Sequence, residues 1–266
     1  MTLALIAGSG GLPTALVAAL QVQKRAVIVC EMHGFVSEVT DDFHRITFRF
    51  ETLGTFLADL KTAGVTEVCM AGAMQRPKVD PTLIDAATMP LVPRLMAAMA
   101  KGDDGTLSAV VALFEEQGFA VVGAHAIAPD LLPMAGVHTQ VAPPDLTAGI
   151  AAAQVALDDM GQIDLGQAML LRGSDVIARE DVRGTAAMLQ DVKTHGNGAG
   201  VTLFKAPKPN QNMRVDMPLI GPETALQAAD AGLAGIVIPK GGVLVLDLPQ
   251  VVATLDTHGL YLWVTP

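Results

Sequence analysis

The residues with the most evident chemistry lie in one segment, residues 205–224, which reads KAPKPNQNMRVDMPLIGPET. Lys205, Lys208 and Arg214 carry charges that can neutralise phosphate oxygens, the lysines as point charges and the arginine as a planar fork. Asp216 supplies the hard carboxylate oxygen that a Mg²⁺ ion requires. The segment therefore predicts a site for a phosphorylated ligand, and the structural alternative is a solvated charged turn between two strands.

The chain around this segment is long and apolar enough to form two domains. It has 266 residues, of which 51% are hydrophobic and 17% are charged, a balance that excludes disorder. No stretch approaches the about 18 uninterrupted apolar residues of a membrane span. The first residues, MTLALIAGSGG, are typical of a strand that ends in glycine rather than of a secretory signal, which predicts a cytoplasmic location.

The net charge of −10 argues against nucleic acid as a partner and against tight electrostatic adsorption to an anionic membrane. A cationic site must therefore be local. The two cysteines, Cys30 and Cys69, lie in apolar runs and are predicted to be reduced thiols of the core.

The order of the predicted elements indicates an α/β fold. Apolar strands alternate with helices in the first half, which predicts a Rossmann-like N-terminal domain over residues 1–136. A Pro-containing linker is predicted over residues 137–146, and a mixed α/β C-terminal domain that carries the catalytic residues over residues 147–266. Within the first domain, residues 81–100 are predicted to be helical.

A glycine turn joins the first predicted strand to the first predicted helix. Gly8, Gly10 and Gly11 could let backbone amides approach a phosphate at the positive end of the helix. Glu31 follows the second strand, where a dinucleotide enzyme places the acid that binds ribose, so NAD binding is one interpretation. The other is a tight turn that needs glycine only for its dihedral angles.

The acidic residues elsewhere have simpler interpretations. Asp103 and Asp104 of the KGDDG motif are predicted to cap a helix rather than to serve catalysis. Asp175, Glu180 and Asp181 flank a predicted strand and are expected to face solvent. The histidines show no zinc-ligand spacing.

Several motifs taken together resemble the UDP-2,3-diacylglucosamine pyrophosphatase family of lipid A synthesis in many Gram-negative bacteria, in its metal-dependent type. The resemblance covers nearly the whole chain and is specific in motif order and spacing. It rests on IAGSGGLP at the start, GAMQRP at residues 72–77, KGDDG, GTAAML at residues 184–189, the segment over residues 205–224, and AADAGLAGIVI at residues 228–238.

The resemblance implies Mg²⁺-dependent hydrolysis of the pyrophosphate bond of UDP-2,3-diacylglucosamine, giving UMP and 2,3-diacylglucosamine 1-phosphate. Asp216 would hold Mg²⁺ or orient the water, while Lys208 and Arg214 would bind phosphate oxygens. Gln211 and Asn212 would position ligand atoms through their amides. The further residues expected to bind substrate are Gly8, Gly10, Gly11, Leu12, Arg183 and Thr185.

Three positions depart from the family pattern. The family has QDxRxD where this chain has QNMRVD, so Asn212 replaces an acid. The family also has Glu before a GTD sequence, where Arg183 and Ala186 stand here. The loss of these carboxylates is expected to weaken Mg²⁺ binding, and Arg183 could bind phosphate in place of part of the metal's charge.

Two alternatives to the pyrophosphatase stay open from the sequence. One is an NAD(P)-dependent oxidoreductase, which rests on the glycine turn and Glu31. The other is a relative that binds a lipid or nucleotide sugar without catalysis, which rests on the missing acids. A lipid substrate also implies transient contact with the surface of the inner membrane, and a homodimer is left open.

Overall fold

The computed structural model describes residues 1–40, 42–74, 78–100, 103–209 and 211–266. The chain forms two compact units, the first made of Met1–Pro129 with Asn212–Val215 and the second of Asp130–Gln211 with Asp216–Pro266. The division after Pro129 comes before the predicted domain end at residue 136, because residues 136 and 137 pair with the last strand of the second unit. The return of four residues to the first unit has no counterpart in the predicted domain order.

Three of the motifs are described only in part, since Asn210 of the segment over residues 205–224 lies outside the described residues. Gln75–Pro77 of the GAMQRP motif and Lys101 and Gly102 of the KGDDG motif lie outside the described residues. A helix begins at Asp103, but the side chains of Asp103 and Asp104 are also outside them, so their predicted capping role stays a prediction.

The first unit is an α/β layer built on a parallel sheet. Its five strands lie in the order β3-β2-β1-β4-β5, and every pair is parallel. The strands are β1 (Thr2–Ala7), β2 (Ala26–Met32), β3 (His44–Phe48), β4 (Val65–Ala71) and β5 (Ala120–Val121). The helices are α1 (Gly11–Val22), α2 (Leu53–Thr62), α3 (Val92–Met99), α4 (Asp103–Glu116) and α5 (Ala124–Ile127).

Burial explains why β1 lies at the centre of this sheet. Leu3, Ala4, Leu5 and Ala7 have no exposed surface, as expected of a parallel strand that is covered on both faces. Phe56 of α2 stacks on Phe48 of β3, with ring centroids 4.1 Å apart. Such aromatic packing fixes the helix against the sheet.

The predicted helix over residues 81–100 is wrong in its first half. The chain forms two short 3-10 turns, Pro81–Leu83 and Met89–Leu91, before α3 begins. The carboxylate of Asp85 accepts a hydrogen bond from the Thr88 backbone N–H (2.6 Å), which closes a local turn. Local side-chain bonds of this kind compete with helix formation, and Pro90 cannot donate a backbone hydrogen bond.

The second unit is a mixed α/β layer. Its main sheet has six strands in the order β6-β13-β11-β9-β7-β8, and a two-stranded sheet pairs β10 with β12. The strands are β6 (Gly136–Val137), β7 (Ala168–Arg172), β8 (Asp175–Arg179), β9 (Val201–Lys205), β10 (Leu219–Ile220), β11 (Gly235–Pro239), β12 (Leu244–Val245) and β13 (Tyr261–Thr265). The helices are α6 (Thr147–Gln162), α7 (Gly184–His195), α8 (Pro222–Asp230) and α9 (Leu248–Thr257).

Side chains that alternate along the strands bury both faces of the six-stranded sheet. On one face, Met169, Leu171 and Phe204 pack with buried residues of α6. On the other, Leu170 and Leu203 pack with buried residues of α7, α8 and α9. Because both faces are covered, the strand ends are the places where charged side chains of this sheet cost least.

Two further predictions are tested by burial and helix length. Cys30 and Cys69 are free, buried thiols as predicted, and burial raises the pKa of each to about 12. Within the described ranges, no helix has both the length and the apolar character needed to cross a bilayer.

Candidate functional site

Three strand ends meet at one edge of the six-stranded sheet. Strand β7 runs antiparallel to both β8 and β9, so its first residue lies beside their last residues. Ala168 pairs with Lys205 in this register, and the Glu180 backbone N–H donates to the Ala168 carbonyl (2.9 Å). The residue before β7, Gln167, accepts from the Ala206 N–H (3.0 Å). Gln167, Glu180 and Lys205 are therefore brought together by strand register.

Glu180 is a buried carboxylate, and its predicted exposure to solvent is wrong. The residue is only 8% exposed, and its Oε2 accepts a hydrogen bond from the Gln167 backbone N–H (2.6 Å). Gly166 has a positive φ of 66°, and a β-carbon there would lie 2.7 Å from the Glu180 carbonyl oxygen. The chain thus needs glycine at this position both for its dihedral angle and for the close approach of Glu180.

The hydroxyl of Thr185 joins Glu180 to Lys205. Thr185 lies in the first turn of α7, and its Oγ1 donates to Glu180 Oε1 (2.7 Å). The same oxygen accepts from Lys205 Nζ (3.0 Å). Burial lowers the pKa of Lys205, although the negative charges of Glu180 and Asp216 oppose this shift.

Two amides bind the carboxylate of Asp216. Gln211 Nε2 donates to Asp216 Oδ2 (2.6 Å) and to the Asp216 backbone carbonyl, and Gln167 Nε2 makes a longer bond to Oδ2 (3.4 Å). The side-chain oxygen of Gln211, Oε1, accepts from the Lys208 backbone N–H (2.8 Å), which fixes the orientation of the Gln211 amide. The predicted residues Gln211 and Asp216 therefore belong to one network with Gln167, Glu180 and Lys205, which we call the Asp216 network.

Lys208, a predicted phosphate-binding residue, has its ammonium group in an ion pair with Asp164. The lysine side chain is only 6% exposed and the aspartate side chain 26%. Separating a buried ion pair leaves uncompensated charge, which costs about 3–5 kcal/mol. A phosphate contact by Lys208 would therefore have to replace a pair that the second unit already holds.

Asn212 and Arg214, two more predicted catalytic residues, belong to the first unit. Arg214 NH1 donates to Glu115 Oε1 (2.6 Å) near the end of α4. Asn212 Oδ1 accepts from the backbone N–H and the Nε of Arg214 (3.2 and 3.3 Å). The Asn212 oxygen is therefore engaged by the arginine, which itself pairs with an acid that the sequence did not indicate.

Arg183, which stands where the family has an acid, is bound by two neighbouring carboxylates. Its guanidinium donates to Asp181 Oδ2 and Asp191 Oδ2, both at 2.8 Å. These hydrogen bonds raise the pKa of Arg183. Ala186 is exposed on α7. The predicted use of Arg183 in place of metal charge would require release from both carboxylates.

Local backbone geometry accounts for two glycines of the first unit's turn. A β-carbon at Gly8 would lie 2.4 Å from the Ala73 carbonyl oxygen, in a short bridge where Ser9 and Ala73 pair. Gly10 has a φ of 91° and a ψ of 169°, a region that is essentially restricted to glycine. Its N–H donates to Glu38 Oε1 (3.3 Å). Ligand binding by Gly8, Gly10, Gly11 and Leu12 remains a prediction.

Glu31, the acid that suggested NAD, lies in β2 and is bound by residues of the following loop and of β3. Its Oε1 accepts from the backbone N–H and Oγ of Ser37 (2.9 and 2.6 Å) and from Arg45 NH1 (3.0 Å). Burial alone would raise the pKa of Glu31, but the bonds from Ser37 and the charge of Arg45 outweigh it and lower the pKa. Glu31 therefore has a structural role, which removes one of the two observations behind the oxidoreductase.

The groups around Asp216 suit a metal ion that takes most of its ligands from substrate and water rather than from the protein. Among the described residues, no group of three or more His, Cys, Asp and Glu side chains could hold an ion. Mg²⁺, however, often binds one or two carboxylates and completes its shell with substrate phosphates and water. Asp216 fits that limited role, and in the part of the chain that the structure describes its Oδ1 has no hydrogen-bond partner.

The fold and the Asp216 network define a two-domain α/β protein with acid, amide and ammonium groups at one sheet edge. Comparison with known sequences gives the family. Residues 2–131 match the LpxI N-terminal domain and residues 134–263 match the LpxI C-terminal domain, so the chain belongs to the LpxI family. It is 35% identical, over 97% of its own length and 95% of the relative's, to the UDP-2,3-diacylglucosamine pyrophosphatase LpxI of Caulobacter vibrioides.

Sequence reasoning missed Glu180, Gln167 and Asp164 as parts of this site. One signal was available for the first two, because Glu180 directly follows β8 and Gln167 directly precedes β7. An antiparallel pairing of those strands places both residues at the same edge. The Lys208–Asp164 pair carries no comparable signal, since 44 positions separate the two residues.

Replacing Glu31 with Gln is expected to destabilise the protein in a pH-dependent way. At pH 7 the loss should be about 1.5–3 kcal/mol, because hydrogen bonds to a charged acceptor become bonds to a neutral one. The folded-state pKa of Glu31 is lowered, so its contribution is present above the unfolded pKa and disappears as pH falls through the folded pKa. The free energies of urea unfolding of wild type and Glu31→Gln should therefore converge below about pH 4.

The matched control is Glu38→Gln, which changes an exposed acid of the loop that follows β2. That variant should remain within about 0.5 kcal/mol of wild type at pH 7. A Glu31→Gln effect that persists unchanged in acid would contradict the assigned charge state.

Proposed function

We propose that this chain hydrolyses the pyrophosphate bond of UDP-2,3-diacylglucosamine to UMP and 2,3-diacylglucosamine 1-phosphate, and that the Asp216 network of its second unit carries the phosphate chemistry. The observation that carries the activity is the extent of the match. A relative named for this pyrophosphatase aligns over 97% of the chain, and both family domains are present in order.

The position of Asp216 supports its place in the chemistry. Hydrolysis of a pyrophosphate requires stabilisation of negative charge on phosphoryl oxygens and a water held for attack. Gln167 and Gln211 donate to one oxygen of Asp216, so the carboxylate is held in one orientation. An oriented carboxylate of this kind can hold the attacking water or accept its proton.

A Mg²⁺ ion bound by Asp216 is part of the proposal. When bound, Mg²⁺ supplies positive charge to phosphate oxygens and lowers the pKa of a coordinated water. The protein's own contribution is to orient Asp216 through the side-chain amides of Gln167 and Gln211. The absence of an acid at Asn212 and at Ala186 leaves this work to fewer carboxylates than the family pattern provides.

We further propose that the Rossmann-like first unit binds the uridine nucleotide through its glycine turn. Its parallel sheet has the order β3-β2-β1-β4-β5, and ligands of such sheets bind at the carboxyl ends of the strands. The turn follows β1 at that end, where Gly11 begins α1. In this proposal Gly8, Gly10 and Leu12 shape the turn, and the nucleotide would displace Glu38 from the Gly10 amide.

The lipid substrate also implies brief contact with the cytoplasmic surface of the inner membrane. The acyl chains of such a substrate keep it in a bilayer, so the protein must contact the bilayer surface to bind it. We expect little sedimentation with plain phospholipid vesicles at physiological salt and clear sedimentation when the vesicles contain UDP-2,3-diacylglucosamine. Equal sedimentation with both would contradict contact through the substrate.

Asp216→Ala should lose the activity. We expect wild type to release UMP from UDP-2,3-diacylglucosamine with stimulation by Mg²⁺, and the variant to be slower by about 100-fold or more, as when one electrostatic group of an active site is removed. The control is Asp158→Ala, which removes an exposed carboxylate of α6 in the same unit and should leave turnover unchanged.

Two outcomes would count against the proposal. Saturable binding of the substrate by wild type without UMP release, at any Mg²⁺ concentration, would indicate a binding protein. Wild-type turnover by Asp216→Ala would move the chemistry away from the Asp216 network.

A further inference from the structure

The proposed reaction needs a cation at the phosphates, and the two residues to which the family resemblance assigns this role, Lys208 and Arg214, are both paired. Asp164 holds the Lys208 ammonium, and Glu115 holds the Arg214 guanidinium. Lys205, by contrast, lies within the Asp216 network. We propose that Lys205 is the ammonium that binds the pyrophosphate beside Asp216, and that Glu180 positions it through the hydroxyl of Thr185. This inference rests on the proposed function and adds the residues that perform it.

The first support is the direction of the hydrogen bonds. A threonine hydroxyl has one proton to donate and two lone pairs to accept with. The Thr185 hydroxyl donates its one proton to Glu180 Oε1 (2.7 Å). The lone pairs of Thr185 are then left for the Lys205 ammonium (3.0 Å). Glu180 thus fixes the hydroxyl, and the hydroxyl fixes the lysine.

The second support is the cost of binding a phosphate at each lysine. Lys208 is almost fully buried and pairs with a carboxylate, so moving its ammonium to a ligand would break the ion pair with Asp164. Lys205 makes its hydrogen bond to a neutral hydroxyl, and an ammonium has three donors. A phosphate oxygen can therefore bind the Lys205 ammonium without separating an ion pair like that of Lys208 and Asp164.

The third support is the place of Lys205 in the fold. It is the last residue of β9, and Thr185 lies in the first turn of the twelve-residue helix α7. The free N–H groups at such a helix start favour negative charge, as the ammonium does. The acids that face Lys205 are Glu180, which follows β8, and Asp216, which precedes β10. The site therefore combines acids that orient with a cation that attracts an anionic ligand.

The experiment begins with Lys205→Met, assayed for UMP release beside wild type. We expect kcat/KM to fall by about 100-fold or more, since one charge-stabilising group is lost. The control is Lys193→Met, which removes an exposed lysine of α7 that pairs with Asp230 and should leave turnover unchanged. Circular dichroism and thermal midpoints establish that each variant is folded.

Thr185 provides a matched pair that separates positioning from folding. Thr185→Val keeps the shape without the hydroxyl, and we expect kcat to fall about 10-fold or more with little change in KM, as for a lost bond to a charged group. Thr185→Ser keeps the hydroxyl and should restore most of kcat. Combining Thr185→Val with Lys205→Met should be no slower than Lys205→Met alone, because the hydroxyl acts through the lysine.

The outcomes distinguish this inference from the proposed function. Absence of UMP release by wild type would overturn the function itself. With an active wild type, normal turnover by Lys205→Met, or equal rates for the serine and valine variants of Thr185, would overturn the role of Lys205 and its positioning.

Discussion

The carboxylate of Glu180 is the group on which the site of the second unit depends. A buried carboxylate is stable only when hydrogen bonds and an opposite charge compensate for the loss of water. Here the Gln167 backbone N–H, the Thr185 hydroxyl and the nearby Lys205 ammonium provide that compensation. Each of these groups is therefore constrained by the same acid. Because Gln167 also reaches Asp216, the constraint extends to the residue proposed for the chemistry.

The sheet explains how such a network can exist in a largely apolar chain. Both faces of the six-stranded sheet are covered, so charged groups of the sheet cost least at the strand ends. The antiparallel pairing of β7 with β8 and β9 brings three such ends together. Gly166 then allows Glu180 to approach closely. The register of β7 with β8 and β9 therefore determines both the pairing of the sheet and the positions of the site residues.

The sequence predicted the elements of the fold better than their limits. Apolar runs located β1, β2, β4 and β9 because buried strands leave a strong local signal. The helix predicted over residues 81–100 failed because Asp85 and Pro90 act locally against it. The sequence also led to the family, whose domains match residues 2–131 and 134–263.

The site could be predicted only in part. Gln211 and Asp216, which the structure brings together, were predicted because polar residues are concentrated in one segment and because that segment resembles the family's. Glu180 was missed since its burial depends on pairing between strands that are distant in sequence. The partners of Lys208 and Arg214 were missed for the same reason, as the Arg214–Glu115 pair spans 99 positions. The charge of a residue indicates which groups it can bind, whereas the folded structure decides which groups lie close enough to be bound.

Because Glu180 and Asp216 share Gln167 as a partner, we propose that they act together in catalysis. A double-mutant cycle on kcat measures the coupling between them. The rates of UMP release would be measured for Glu180→Gln, Asp216→Asn and the double variant. We expect that the two rate losses, expressed as activation free energies, do not add, with a coupling free energy above about 1 kcal/mol. Losses that add to within about 0.5 kcal/mol would contradict it, because residues that act independently show no greater coupling than this.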